Sequence, residues 1–111
     1  MTENNLLNKM RQERFFINNR TVLQSVNVLR EKYVSLNDLS LALFPEIGEN
    51  EFRDCVNYLT EGEYIQSRDK SSKESATLAD IAIDKLESKL TYEGIQLLSG
   101  KRKDACIDGY Q

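Results

Sequence analysis

The apolar residues of this chain come in short runs whose spacing changes repeatedly along its length. Leu6, Leu7 and Met10 form a weak helical stripe, and Phe15, Phe16 and Ile17 make an apolar knot that Asn18 and Asn19 interrupt. This pattern predicts a short helix or arm over 1–19, then a break. From residue 20 to 33 the signal is stronger. Val22, Val26, Leu29 and Tyr33 recur at helical spacing and share one face, with Gln24, Asn27, Arg30 and Glu31 opposite.

Ser35, with Asp38 three residues later, has the form of a helix start, and Leu36, Leu39 and Leu43 then share a face. Pro45 is the only proline; it disfavours helical geometry at Phe44, so a second helix is expected over 36–44. A third follows, with Phe52, Cys55, Val56 and Leu59 on one side and acids crowding its N-terminus. Gly62 suits the left-handed position past its end.

"EYIQSR" then reads as a strand, with Tyr64 and Gln66 on one side and Ile65 on the other. Residues 68–76, "RDKSSKESA", have no apolar stripe and read as a mobile loop. The 77–84 segment is ambiguous: Ile81 and Ile83 alternate as in a strand, while Leu78, Ile81 and Leu86 fit a helical turn. A strand is expected at 86–90, paired back onto 64–68. Thr91 should cap a helix over 92–99, which stops at Gly100.

A short second helix joined tightly to a third is the helix-turn-helix arrangement. A two-stranded hairpin after the third helix adds a wing. The expected fold is therefore mainly α with a small β-hairpin: an arm at 1–19, a winged-helix domain at 20–99 and a polar tail at 100–111. Three short amphipathic helices cannot each bury a stripe alone, but they can share one core that the hairpin covers.

Two segments carry a resemblance. "VNYLTEGEYIQ" resembles the third helix and first wing strand of many winged-helix proteins. The ending around Lys89, Leu90, Thr91, Gly94, Ile95, Leu97, Leu98 and Gly100, with Asp104 and Ile107 beyond, is similar to that of small winged-helix proteins of Mu-like phages and prophages. The similarity spans residues 20–108. It departs where Ala105 and Cys106 stand in place of Pro and Gly, and in a longer 68–85 connection. The resemblance implies a phage or prophage transcriptional regulator that binds double-stranded DNA.

Composition narrows the chemistry. The 111 residues contain no histidine, which removes the commonest general base and metal ligand. The two cysteines, Cys55 and Cys106, have no metal-binding spacing; Cys55 reads as a buried, inert thiol. There is no Gly-rich phosphate loop and no nucleophile–base pair. Neither an enzyme nor a bound cofactor or metal is expected. Glu49, Glu51 and Asp54 read as a solvated helix start and not as a cation site. No apolar run is long enough to span a membrane, and the polar N-terminus is unlike a secretory signal, so a cytoplasmic protein is expected.

Charge is less favourable to DNA. The net charge is −3, and the segment from Glu49 to Glu63 holds five acids against Arg53 alone. DNA affinity rests largely on lysine and arginine contacts to phosphate. Even so, the side of the third helix away from its apolar face carries Asn50, Glu51, Arg53, Asp54 and Asn57, and of these arginine and asparagine read guanine and adenine well, so Asn50, Arg53 and Asn57 are the candidate base contacts. Arg68, Lys70 and Lys73 in the wing are the candidate backbone contacts. Lys9, Arg11 and Arg14 in the arm, and Lys101 to Lys103 in the tail, add basic groups. A homodimer is expected, because one short helix reads few bases. The competing reading is a protein-interaction or dimerisation module, with Leu6, Leu7, Met10, Phe15 and Phe16 packing on a second copy; alternatively they pack on their own domain.

Overall fold

The computed structural model describes residues 3–28 and 31–108. Its elements in order are α1 (Glu3–Asn27), β1 (Val34–Ser35), α2 (Leu36–Leu43), α3 (Glu49–Glu61), β2 (Ile65–Asp69), a 3-10 turn (Ile83–Lys85), β3 (Leu86–Leu90), α4 (Tyr92–Leu98) and α5 (Ala105–Asp108). The chain is mainly helical with one small antiparallel sheet, in the order β1-β3-β2. No helix is long and apolar enough to cross a membrane.

The expected break at Asn18–Asn19 does not occur: α1 runs through both as one 25-residue helix. Asparagine weakens a helix when its side chain competes for nearby backbone. Here both side chains are buried and bond at a distance. Asn18 Nδ2 donates to Glu51 Oε2 (3.3 Å), and Asn19 Nδ2 donates to the Cys106 carbonyl (2.9 Å). The helix also ends sooner than its periodicity suggests. Val22 and Val26 are buried as expected, but Tyr33 lies beyond the helix, and Leu29 and Arg30 fall outside the described residues. Tyr33 instead lies under the Arg68 guanidinium, 3.6 Å from its ring centre, and its hydroxyl accepts from Gln66.

Helix α2 starts as its sequence requires, with the Ser35 hydroxyl accepting from the Asp38 amide (3.3 Å). It stops before Pro45 with Phe44 extended. Helix α3 buries Phe52, Cys55, Val56 and Leu59 against α1 and the sheet, matching its stripe. After α3 the left-handed residue is Glu63 (φ 63°), while Gly62 is right-handed at φ −75°. Gly62 is needed for space: a Cβ there would lie 2.6 Å from the Tyr64 ring. Because Glu63 turns the chain, Tyr64 is buried and does not share a side with exposed Gln66.

Strands β2 and β3 pair as expected, but from Ile65↔Leu90 to Asp69↔Leu86, one residue further along than the 64–68 expected, because Tyr64 belongs to the turn after α3. Leu86, Ser88 and Leu90 all point into the core, where the Ser88 and Ser67 hydroxyls bond each other at 2.6 Å. The two-residue β1 adds a third strand beside β3. The 68–76 segment is a built turn, not an unstructured loop. Asp69 Oδ1 accepts from the Ser71 and Ser72 amides (2.7 and 3.0 Å), and its own amide donates to the Glu74 carbonyl (2.9 Å). Ala76 then tucks back onto β2 through Ser67. Beyond it, Leu78, Ile81 and Ile83 rest on the core, and the ambiguous 77–84 segment is a turn leading into the 3-10 helix.

Thr91 caps α4 by accepting from the Gly94 amide (3.1 Å). Gly100 closes it at φ +82°, with its amide bonded to Leu97 and that of Lys101 to Gln96. The tail is not peripheral. Ile107 of α5 is fully buried against α1, and Asp104 accepts from both the Tyr58 and the Tyr64 hydroxyl (2.8 and 2.6 Å).

Candidate nucleic-acid interface

The apolar stripe of α3 is spent on the core, so its opposite side must face outward. Asn50, Arg53 and Asn57 are all exposed there, three and four residues apart, so they form one row. Among the described residues Arg53 makes no ion pair, and the Asn50 and Asn57 amides make no hydrogen bond. Next to the row, α2 and α3 form a cleft of about 290 Å³, lined by Asn37, Ser40, Glu49, Asn50, Arg53 and Ile83. Three donor-bearing side chains thus stand together and unpartnered on an open helix face.

The acids of α3 are not all on this face. Glu51 turns toward α1, where it pairs with Arg14 (2.6 Å) and accepts from the Gly48 amide. Asp54 also faces α1, across a hollow shared with Arg11 and Arg14. Glu49 and Glu61 remain exposed on α3. Pairing with Arg14 therefore removes Glu51 from the charge around Arg53, while Glu49 lines the same cleft as Arg53 and Asp54 stays exposed one turn from Asn50.

At the hairpin, Arg68 and Lys73 converge on one carboxylate. Arg68 Nε lies 2.6 Å from Glu87 Oε2, and Lys73 Nζ lies 3.3 Å from the same oxygen. Burial opposes the charge of Glu87, but the bonds from Arg68 and Lys73 outweigh it and hold its pKa below the ordinary value. The Asp69 carboxyl is lowered too, chiefly by the Ser72 and Ser71 amides. Lys70 makes no ion pair among the described residues. Of these three hairpin residues, Lys70 alone has no ion pair among the described residues, and Arg68 is held between Glu87 and the Tyr33 ring.

Sequence reasoning did not single out Lys89 as a charge on the hairpin. Lys89 Nζ stands 6.0 Å from the Tyr33 ring centre, near Arg68. The alternation of β3 carried the signal: with Leu86, Ser88 and Leu90 inward, Glu87 and Lys89 must face out. Two of the arm and tail cations are engaged elsewhere. Arg14 is tied to Glu51, and Arg102 bonds Glu93 and lies over the Tyr64 ring.

Cys55 is fully buried, and burial, then the charges of Asp54 and Glu51, push its thiol up to about 12; it is an inert core residue. No cluster of three or more Cys, Asp or Glu that could hold a metal ion occurs among the described residues. No protein-family model, curated protein or solved structure matches this chain.

Proposed function

We propose that this chain is a winged-helix DNA-binding protein of the kind that regulates transcription in phages and prophages. In this reading α1, α2 and α3 form the helical core, α3 lies in the major groove, and the β2–β3 hairpin is the wing. The observation that carries the reading is the row Asn50, Arg53 and Asn57: three side chains of types suited to base readout on an exposed helix face, with no partner among the described residues. Arg53 reads guanine, and Asn50 and Asn57 read adenine. Lys70 contacts the phosphate backbone, and Arg68, Lys73 and Lys89 add positive charge beside it.

The test is binding of the purified chain to labelled random duplex DNA across a salt series, followed by selection of preferred sites. Affinity should fall steeply as salt rises. Arg53→Ala should relax specificity at one base position, a loss of about 1–3 kcal/mol, while Lys70→Ala should weaken all sequences alike and reduce the salt slope by about 1. Absence of binding at low salt would overturn the reading. It would favour the second one, a protein-interaction module, which the exposed acids Glu49 and Glu61 and the net charge of −3 support.

A further inference from the structure

The N-terminal half of α1 is a projecting helical arm. Residues 4–14 are all exposed, and the molecule measures 51 Å along its longest axis against 30 and 22 Å. A helix this short is marginal in water unless something packs on it. Its outward side exposes three large apolar side chains in a row that Glu13 interrupts: Leu6 is 50% exposed, Met10 56% and Ile17 66%. These residues lie opposite the core face of the same helix, which holds Val22 and Val26, and they stay exposed among the described residues. Phe15 takes the other course open to the N-terminal apolar residues and packs on its own domain, edge-on to Tyr58 at 5.5 Å.

We infer that this face is a dimer interface, in which the α1 arms of two copies pack antiparallel about a twofold axis between residues 11 and 12. The spacing supports this register. Met10 and Ile17 are seven apart, as are Leu6 and Glu13, so the four form one seam of the heptad type. The twofold sets Leu6 against the second copy's Ile17, and Met10 against the second copy's Glu13. Lys9 then lies next to that Glu13, and the symmetry makes the ion pair twice. Neither Lys9 nor Glu13 has an ion pair within the chain among the described residues.

A receiving site is present as well. A hollow of about 450 Å³ between α1 and α5 is lined by Glu13, Phe16, Ile17, Arg20 and Ile107, among others. Leu6 lies eleven residues before Ile17 on the same rigid helix, roughly 16 Å away, so it cannot reach the hollow of its own chain. In the antiparallel pair, Leu6 of each copy meets the hollow of the other. Such an interface is self-complementary and closes at two subunits.

The test is the mass of the full chain in solution, by sedimentation equilibrium and light scattering without DNA. The expected value is twice the 12.8 kDa chain mass. Met10→Glu and Ile17→Glu should each give a monomer with an unchanged helical circular dichroism signal. Lys9→Glu and Glu13→Lys should each weaken the dimer by about tenfold, and the double charge swap should restore it. A monomeric wild type, a dimer that survives Ile17→Glu, or a double swap that fails to rescue would overturn the inference. The inference does not rest on the DNA reading, which the salt series tests separately.

Discussion

Replacing Gly94 by alanine should destabilise the protein, although helix propensity predicts the opposite. Gly94 sits in the first turn of α4 and is buried beneath the end of α3 and the start of β2. A Cβ there would lie 2.2 Å from the Tyr64 carbonyl oxygen, 3.1 Å from its carbon and 3.3 Å from Leu90 Cδ2. The first two are backbone atoms and cannot swing aside. Helix α4 would have to withdraw by about 1 Å, a displacement whose overpacking cost is typically about 1–3 kcal/mol. The same carbonyl accepts from the Thr91 amide at 3.0 Å, and the Thr91 hydroxyl donates to the Glu63 carbonyl next to it. Stretching these bonds adds on the order of 1 kcal/mol. Against this stands a propensity gain of at most about 1 kcal/mol for alanine over glycine. The net loss is about 1–3 kcal/mol. With a urea slope of about 1–3 kcal/mol per molar, the unfolding midpoint should fall by roughly 1 M. Urea titration followed by circular dichroism measures it. A midpoint that stays or rises would refute the argument that backbone proximity selects glycine here. Gly100→Ala is the comparison: its Cβ meets nothing within 4 Å, so only the left-handed backbone at φ +82° is penalised. Its loss should be near 1 kcal/mol.

Three further outcomes follow from the tail and the hairpin. Ile107→Ala should cost about 2–5 kcal/mol, because a fully buried side chain leaves a cavity; a loss below 0.5 kcal/mol in a urea titration, the order of an exposed substitution, would mean that α5 does not dock. Burial, then the hydrogen bond to Asp104, pushes Tyr64 up to about 12 from 10.0, so its stabilisation is complete below pH 10 and is lost as pH rises toward 12. Absorbance titration of wild type against Tyr64→Phe isolates this group, and a midpoint at 10 would contradict the Asp104 contact. Glu87→Gln should destabilise the hairpin at neutral pH by removing the partner of Arg68 and Lys73. The Glu87 pKa is lowered on folding, so its stabilisation is present above 4.5 and lost as pH falls through the folded value. The wild-type and variant unfolding curves should therefore converge in acid, and a gap that persists at low pH would show that charge is not the cause.

The parts of the fold legible in the sequence share a local cause. Phe52, Cys55, Val56 and Leu59 mark α3 because residues three and four apart share a helix face. Ser35, Thr91, Pro45 and Gly100 mark boundaries through bonds or torsions that reach only a few residues. The pairing of 86–90 with the strand after α3 follows from alternation and proximity. Asn50, Arg53 and Asn57 were legible as an exposed row for the same reason, since naming the buried face of α3 names the other.

What the sequence alone could not decide depends on partners far along the chain. Asn18 and Asn19 look like a break until Glu51 and the Cys106 carbonyl, 33 and 87 residues away, accept their bonds. The tail looks peripheral until Asp104 meets Tyr58 and Tyr64, and Ile107 meets α1. Gly62 looks like a left-handed cap, but the Tyr64 ring needs its space and Glu63 takes the turn. Charge behaves in the same way: a count of acids and bases treats Glu51, Arg68 and Lys70 alike. Only folding pairs Glu51 with Arg14 and Arg68 with Glu87, and leaves Lys70 and Arg53 without an ion pair among the described residues. Periodicity and capping belong to the chain itself, because they act within a turn or two. Satisfaction of polar groups belongs to the tertiary structure, because the nearest opposite charge or acceptor is set by packing and not by sequence distance.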